Sequence, residues 1–403
     1  MEKDWANLDS LALNTILEKL MEPIYQIWFG CVCKNWYSVA KLNHQNNHQF
    51  RSNILPMLMI PTESPEKRGL YSVLGNRVYP FQLTMLYKKR CCGSSHGWLA
   101  TVDENYVITW VNPFKDVAPI SLPRIHCHWS YKNYEFNVHK NYEFNVHKVT
   151  LSDDPITSPN DYVVAVIYSI RGLLAFIKAG QEFWTYIQDT NHFGFIDVTF
   201  YKGLVYAVNR WKTIVSFDLC YSSDPSGMER KIPNVALQGS YDETYSPLTY
   251  LVKSLEGELW MVRRFIIRED TDGDDVFYNK GTESILVFKL ELDDKGEKVM
   301  HLVELESLGD NILFVGDNDS ITLSASYFSG YLQKDSIYYS DNYYDDEPDP
   351  YPNGPFDLGI YNVKHRSFGV HCPYKPYFKG MVPPIWVAPP FQWVDECFDL
   401  FFN

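Results

Sequence analysis

The chain has 403 residues, 45% hydrophobic and 21% charged, with 22 glycines and 23 prolines, which excludes a mainly disordered, collagen-like or linker-like polypeptide. It carries 36 basic and 50 acidic residues, a net charge of −14, and its only basic clusters are Lys88-Lys89-Arg90 and Arg263-Arg264. Affinity for nucleic acid or an anionic membrane needs a basic face, so neither is an expected partner.

The start, Met1-Glu2-Lys3-Asp4-Trp5, has no cationic stretch followed by an apolar one, so no secretory signal is expected. Leu13, Ile16, Leu17 and Leu20 then fall at helical spacing, with Leu8 and Leu11 leading in. Asp9 or Ser10 can cap that helix, and Pro23 suits the first turn of a second one. Ile24, Ile27, Trp28, Cys31, Val32, Trp36 and Val39 continue an apolar face, interrupted at Gly30. The pattern predicts a helical hairpin or three-helix unit of about forty residues, too small to cover its own apolar surface. Either a larger domain or a partner protein must cover the remainder.

The run Trp5-Ala-Asn-Leu8-Asp9-Ser-Leu11-Ala-Leu13-Asn-Thr-Ile16-Leu17-Glu-Lys-Leu20, followed by Trp28-Phe29-Gly-Cys31-Val32-Cys33-Lys34-Asn35-Trp36, resembles an F-box. That pattern reads W-x-x-L-P-x-D-L-L-x-x-I-x-x-x-L, then R-F-x-x-V-C-K/R-x-W. Four positions depart from it: Asp9 for the proline, Leu11 for the acid, Ala12 for the first leucine of the pair and Trp28 for the arginine. The resemblance implies docking on a Skp-type adaptor. Leu8, Leu13, Ile16, Leu17, Leu20, Phe29, Val32 and Trp36 would form the adaptor surface or its support, some of them facing inwards.

From about residue 55 the helical period gives way to short β-rich runs bounded by Gly, Pro, Asn and Asp. An aromatic content of 16% suits pleated, half-buried surfaces. Several runs open on glycine: Gly97-Trp98, Gly172-Leu173, Gly203-Leu204 and Gly257-Glu258. Return strands follow at Glu182–Ile187, Thr213–Leu219 and Ser284–Leu290. No helix pattern lies between them, so the expected body is antiparallel. A β-propeller of six to eight blades hides so many strand edges by closing a ring, and a pair of stacked sandwiches is the competitor. The expected organisation is a helical head at 3–42, a linker at 43–55, the all-β body at 56–390 and a tail at 391–403. The longest apolar run, Tyr162–Ile170, is too short to span a membrane.

The body is similar over nearly its whole length to the plant propeller domain of the KIB type, usually found behind an F-box. The matching stretches stand in the family's order: Gly93–Leu99, Val111–Phe114 with Ile120–Pro123, Tyr250–Leu255 with Gly257–Leu259, Ser307–Asp310 with Leu313–Asn318, Asp335–Asp341, and Pro384–Val387.

Acid is concentrated in two segments, five residues in 269–275 and six in 341–357, and solubilising loop tips are their simplest reading. The octapeptide Lys132–His139 recurs identically as Lys140–His147, a recent duplication expected to lengthen an inter-strand loop. His126, Cys127 and His128 are too close in sequence for all three to face one metal ion, His139 and His147 sit in the duplicated stretch, and no second ligand pair with zinc spacing exists. In the calcium-loop fragment at Asp270–Asp275, Asp275 stands where the sharp-turn glycine belongs and Gly281 where the closing glutamate belongs, so a hairpin tip is expected. His96 and Trp98, Trp184, Trp211 and Trp260 are expected to be packing residues. The eight cysteines lack a framework spacing and are expected to be reduced thiols, with cytoplasm or nucleus as the compartment. No nucleophile elbow, zinc-protease motif or phosphate loop is present, so no catalytic residue, cofactor or metal is expected.

The two resemblances together imply a non-catalytic substrate-recognition subunit of a cullin-type ubiquitin ligase. The head would reach cullin through the Skp-type adaptor, and the propeller would hold a target protein. The four departures keep open an alternative, a protein-binding module not coupled to ubiquitin.

Overall fold

The computed structural model describes residues 5–46, 54–62, 67–82, 91–115, 117–126, 145–169, 171–187, 194–218, 230–231, 234–237, 248–270, 277–340, 357–371 and 383–389. A 3-10 turn (Trp5–Asn7) leads into helices α1 (Ser10–Leu17), α2 (Pro23–Gly30) and α3 (Lys34–Asn46). Asp9 caps α1, its carboxylate accepting from the Ala12 amide at 2.9 Å, and Pro23 opens α2. Helix α3 continues to Asn46, past residue 42 where the head was expected to end.

The strands form six sheets, the blades of a propeller. Blade 1 contains β1 (Met57–Pro61), β2 (Lys67–Ser72) and β3 (Arg77–Gln82). Blade 2 contains β4 (Cys91–Ser95), β5 (Trp98–Val102), β6 (Ile108–Val111) and β7 (Ile120–Ser121). Blade 3 contains β8 (Val146–Leu151), β9 (Val163–Tyr168), β10 (Leu173–Lys178) and β11 (Thr185–Ile187). Blade 4 begins with β12 (Phe195–Tyr201), β13 (Leu204–Asn209) and β14 (Ile214–Asp218). The next strand, β15 (Arg230–Lys231), adds parallel to β11 of blade 3, and β16 (Asn234–Leu237) then closes blade 4. Blade 5 is β17 (Leu248–Lys253), β18 (Leu259–Asp270), β19 (Phe277–Leu292) and β20 (Val299–Glu304).

Blade 6 departs from a plain meander. It contains β21 (Asn311–Val315), β22 (Ile321–Ser324), β23 (Ser336–Tyr339), β24 (Gly359–Asn362) and β25 (Ser367–Gly369), with β21 between β22 and β23 and parallel to β23. The last strand, β26 (Ile385–Val387), returns to blade 1 and pairs antiparallel with β1, Met57 opposite Val387. It closes the ring and removes the edges that an open sheet would expose.

Each junction between neighbouring blades has its own apolar core. Strand β9 shows why the sequence lost its alternation there. Val164 and Val166 face blade 2, Val163, Ala165 and Ile167 face blade 4, and all six residues of β9 are buried. The glycine-led pattern has a local cause as well. Gly97, Gly203 and Gly257 lie in the turns between first and second strands with φ of 80°, 79° and 77°. Those left-handed angles favour a residue without a β-carbon.

The inner strands β26, β4, β8, β12 and β17 hold corresponding places in five blades, so equivalent turns emerge on one face. Connections from second to third strand, such as β9–β10, β13–β14 and β18–β19, open on what is termed the mouth. The β2–β3 turn opens on the rear face.

Candidate functional site

The head has a core of its own. Leu13, Leu17, Phe29, Val39 and Ala40 are buried together, with Leu8, Ile16, Leu20 and Trp36 partly buried around them. Phe29 and Trp36 pack with ring centroids 4.5 Å apart. The Trp36 indole donates to the Trp5 carbonyl at 3.0 Å, and the Asn35 amide donates to the carbonyls of Ala6 and Leu8 at 3.2 and 3.1 Å. The Asn35-Trp36 pair thus ties α3 to the N-terminal turn. Of the eight residues singled out from the sequence, Leu13, Leu17 and Phe29 face this core and Val32 faces outwards. The other four lie at its margin.

Among the described residues of the head, four large apolar side chains remain at the surface: Trp5 (57% exposed), Leu11 (78%), Val32 (54%) and Leu42 (57%). Sequence reasoning did not place Trp5, Leu11 and Leu42 in the candidate surface. Leu11 carried a usable signal, because it lies off the Leu13–Leu17 stripe where an apolar residue has no core to enter.

The second face of α2 is turned to the wheel. Ile24 is buried with Met57, Met59, Leu70 and Tyr79 of blade 1 and with Leu99, Val111 and Phe114 from blade 2 and its flank. Tyr25 and Trp28 pack on the same cluster, Trp28 lying 5.4 Å from the Tyr25 ring and 6.2 Å from the Tyr79 ring. Beside them Glu22 is buried and accepts a 2.5 Å hydrogen bond from the Ser72 hydroxyl, which also accepts from the Gly75 amide at 3.2 Å. Burial pushes the Glu22 carboxyl above the usual range, against the opposing pull of Ser72, the Gly75 backbone and Arg77. The tryptophan that replaces the usual arginine of the pattern is thus a docking residue between head and wheel.

The centre of the wheel is polar. Lys148 on β8 forms a buried ion pair with Asp197 on β12, and the Asp197 carboxylate accepts from the Leu251 amide of β17 at 2.5 Å. Burial raises the Asp197 pKa, with Lys148 and the Leu251 amide pulling it down. The turn after β21 crosses to blade 2, where the Asp319 amide donates to the Ser94 carbonyl at 2.8 Å.

Towards the mouth, Arg264 on β18 is fully buried. It donates to the Asp357 carboxylate at 2.6 Å, the Thr282 hydroxyl at 2.6 Å and the Ser340 carbonyl at 3.0 Å. It therefore anchors both ends of the acidic 341–357 segment beside the β18–β19 hairpin. Residues 271–276 and 341–356 of the two acidic segments lie outside the described residues.

Trp98, Trp184 and Trp260 are buried as expected. Two expectations are corrected. His96 is exposed, because it lies on the β4–β5 turn at φ 52° rather than within a strand. Trp211 is only partly buried, because it lies on the β13–β14 turn at the mouth rather than within a strand. Most of the duplicated segment, 132–144, and the His126–His128 group beyond His126 lie outside the described residues. Among the described residues no group of three His, Cys, Asp or Glu side chains is placed to hold a metal ion, and no helix is long and apolar enough to cross a membrane.

Comparison with known proteins agrees with this architecture. The family model of the KIB1-4 β-propeller matches residues 70–362. F-box protein SKIP23 of Arabidopsis thaliana is 24% identical over 410 residues, covering 94% of this chain and 94% of that protein. F-box protein At2g17036 of the same plant is 24% identical over 353 residues, covering 80% of each chain.

Proposed function

The chain belongs to the KIB1-4 β-propeller family, and from that premise we propose that it is a substrate-recognition subunit of a cullin-type ubiquitin ligase. Its head docks on a Skp-type adaptor, which links it to cullin. Its wheel holds a target protein. The chain itself supplies no catalytic residue, cofactor or metal. Its contribution is proximity: tethering raises the effective concentration of target lysines near the charged conjugating enzyme. Relatives named F-box proteins support the reading.

The observation that carries the proposal is the division of the head's apolar surface. One part forms the head's core and one part docks on blades 1 and 2, yet Leu11 and Val32 still face solvent. Exposed apolar side chains grouped on one small unit mark an interface. Two departures from the F-box pattern also have local roles, Asp9 as a helix cap and Trp28 as a docking residue.

The test is capture of purified Skp-type adaptors by the full chain and by Leu11→Asp/Val32→Asp. These side chains are exposed, so the variant is expected to melt as the wild type does while losing adaptor capture about tenfold or more. Leu17→Asp would be a poorer probe, because Leu17 lies in the head's core. A wild-type chain that captures no adaptor would favour a binding module uncoupled from ubiquitin.

A further inference from the structure

The joint between head and wheel holds a charge that its surroundings balance only in part. Met21 packs on the core between blades 6 and 1, while Ile24, Tyr25 and Trp28 pack on the core between blades 1 and 2. Glu22 stands between these two anchor points in the chain and is only 5% exposed. Its backbone carbonyl accepts from the Tyr25 and Gln26 amides at 3.1 and 3.3 Å, so it sits at the start of α2. Its side chain crosses to β2, where one carboxylate oxygen accepts from the Ser72 hydroxyl. The other carboxylate oxygen is buried without a hydrogen-bond donor among the described residues, as is the Trp28 indole nitrogen without an acceptor.

An enclosed carboxylate is ordinarily held by several donors or by the fork of an arginine. Here the approach is to a single oxygen, to which Ser72 donates and which a β-carbon on Gly75 would meet at 2.9 Å. The Gln26 side-chain amide donates elsewhere, to the Leu20 carbonyl at 2.5 Å. Arg77 on β3 favours the charged carboxyl, yet it is exposed and its guanidinium lies over the Tyr79 ring at 4.9 Å. The other titratable groups packed at this place are Tyr79 of β3 and Tyr25 of α2. Towards blade 6, Glu18, which is exposed, acts on Tyr327. Phenols titrate far above the range of a carboxyl, so among these buried groups Glu22 is the one whose charge changes below neutral pH.

We propose that Glu22 makes the joint a proton-linked hinge, which closes firmly when its carboxyl is neutral and loosens when it is ionised. In the docked head, burial raises the carboxyl above the usual range. In an undocked head the same carboxyl meets water and titrates at its ordinary value, about 4.3. Below that value it is protonated in both states, and docking has its full strength. As pH rises from there to the docked pKa, the undocked head releases its proton first and docking weakens; above the docked pKa the weakening is complete. At neutral pH the hinge is therefore at its loosest, and head and wheel can change their relative angle. The hinge is independent of what the head captures.

The test is amide exchange of α2 in the full chain, read as protection factors, which divide out the intrinsic pH dependence of exchange. A head of about forty residues is too small to hold its helices firmly off the wheel, so α2 protection reports docking. Glu22→Gln is neutral at every pH. It should protect α2 about fivefold or more over the wild type at about pH 7.5, and the ratio should shrink towards one at about pH 5. Comparing the two chains at each pH cancels what buried groups elsewhere, such as Asp197, contribute to stability. Ser72→Ala removes the hydrogen bond to the charged form, so it should lower α2 protection more at about pH 7.5 than at about pH 5. A Glu22→Gln ratio that is equal at the two pH values, or below one at about pH 7.5, overturns the hinge if the variant keeps the wild-type circular dichroism. If that variant is misfolded, Ser72→Ala decides, and equal losses at the two pH values overturn the hinge.

Discussion

His371 shows how one side chain can make the seam of the ring sensitive to pH. It lies between blades 6 and 1, with ring centroids 5.9 Å from Tyr71, 5.8 Å from Tyr338 and 5.5 Å from Trp386. Burial pushes its pKa down to about 4, outweighing the backbone carbonyls of Tyr339 and Gly359. Above the ordinary histidine pKa of about 6.5 the ring is neutral in both folded and unfolded chains, so it adds no pH dependence. As pH falls below that value the unfolded chain takes up the proton first, and stability drops until the folded pKa is reached. The loss is about 3 kcal/mol, near 1.4 kcal/mol per pH unit. His371→Leu removes this term. Denaturant titrations should show the variant gaining on the wild type by about 3 kcal/mol between about pH 7 and about pH 4. Parallel curves for the two proteins would contradict the assignment. Other single residues resisted sequence reasoning for a related reason. An apolar stripe shows that a side chain will be covered but not by which neighbour, so Leu17 and Trp28 looked alike although one faces the head's core and the other the wheel.

Helix α2 is the element on which the arrangement turns, because it belongs to two cores at once. Phe29 faces the head and Ile24 faces blades 1 and 2. Truncating the wheel-facing side with Ile24→Ala/Trp28→Ala should loosen the head while leaving most of the ring intact. Large-to-small changes at buried sites cost about 2–5 kcal/mol, so amides of α2 should exchange about thirtyfold faster or more, with β8 and β12 unchanged. Unaltered α2 exchange would show that the head is held by something else. At this scale the sequence was informative where pairing is local. Glycine-led strands marked hairpin turns because left-handed backbone is needed there. It was silent on the parallel additions of β15 to β11 and of β21 to β23, which join segments far apart in the chain. The six blades fall at the low end of the expected six to eight.

The whole ring depends on three residues near the end of the described chain. Ile385, Trp386 and Val387 are the inner strand of blade 1 and are fully or almost fully buried. Their side chains divide between two junctions. Ile385 and Val387 enter the core between blades 1 and 2, where Ile24 of the head also sits, and Trp386 enters the core between blades 6 and 1. Trp386 packs edge-on against Phe314 with ring centroids 5.0 Å apart. Trp386→Ala should therefore cost about 3–5 kcal/mol, a large share of a domain's net stability. A chain ending at Pro384 should fare worse, since β1 loses its ladder partner and presents an open edge at the centre of the wheel. Such a chain is expected to lose its cooperative melt and to aggregate, whereas a control chain ending at Pro389 should melt as a single transition. The head should report the same event, because Ile24 packs in the core that Ile385 and Val387 complete. Adaptor capture by the Pro384-terminated chain should fall with ring closure although its helical residues are untouched. A Pro384-terminated chain that melts cooperatively within a few degrees of the control would mean that the ring closes without its last strand, and the coupling of head to wheel through this seam would have to be abandoned.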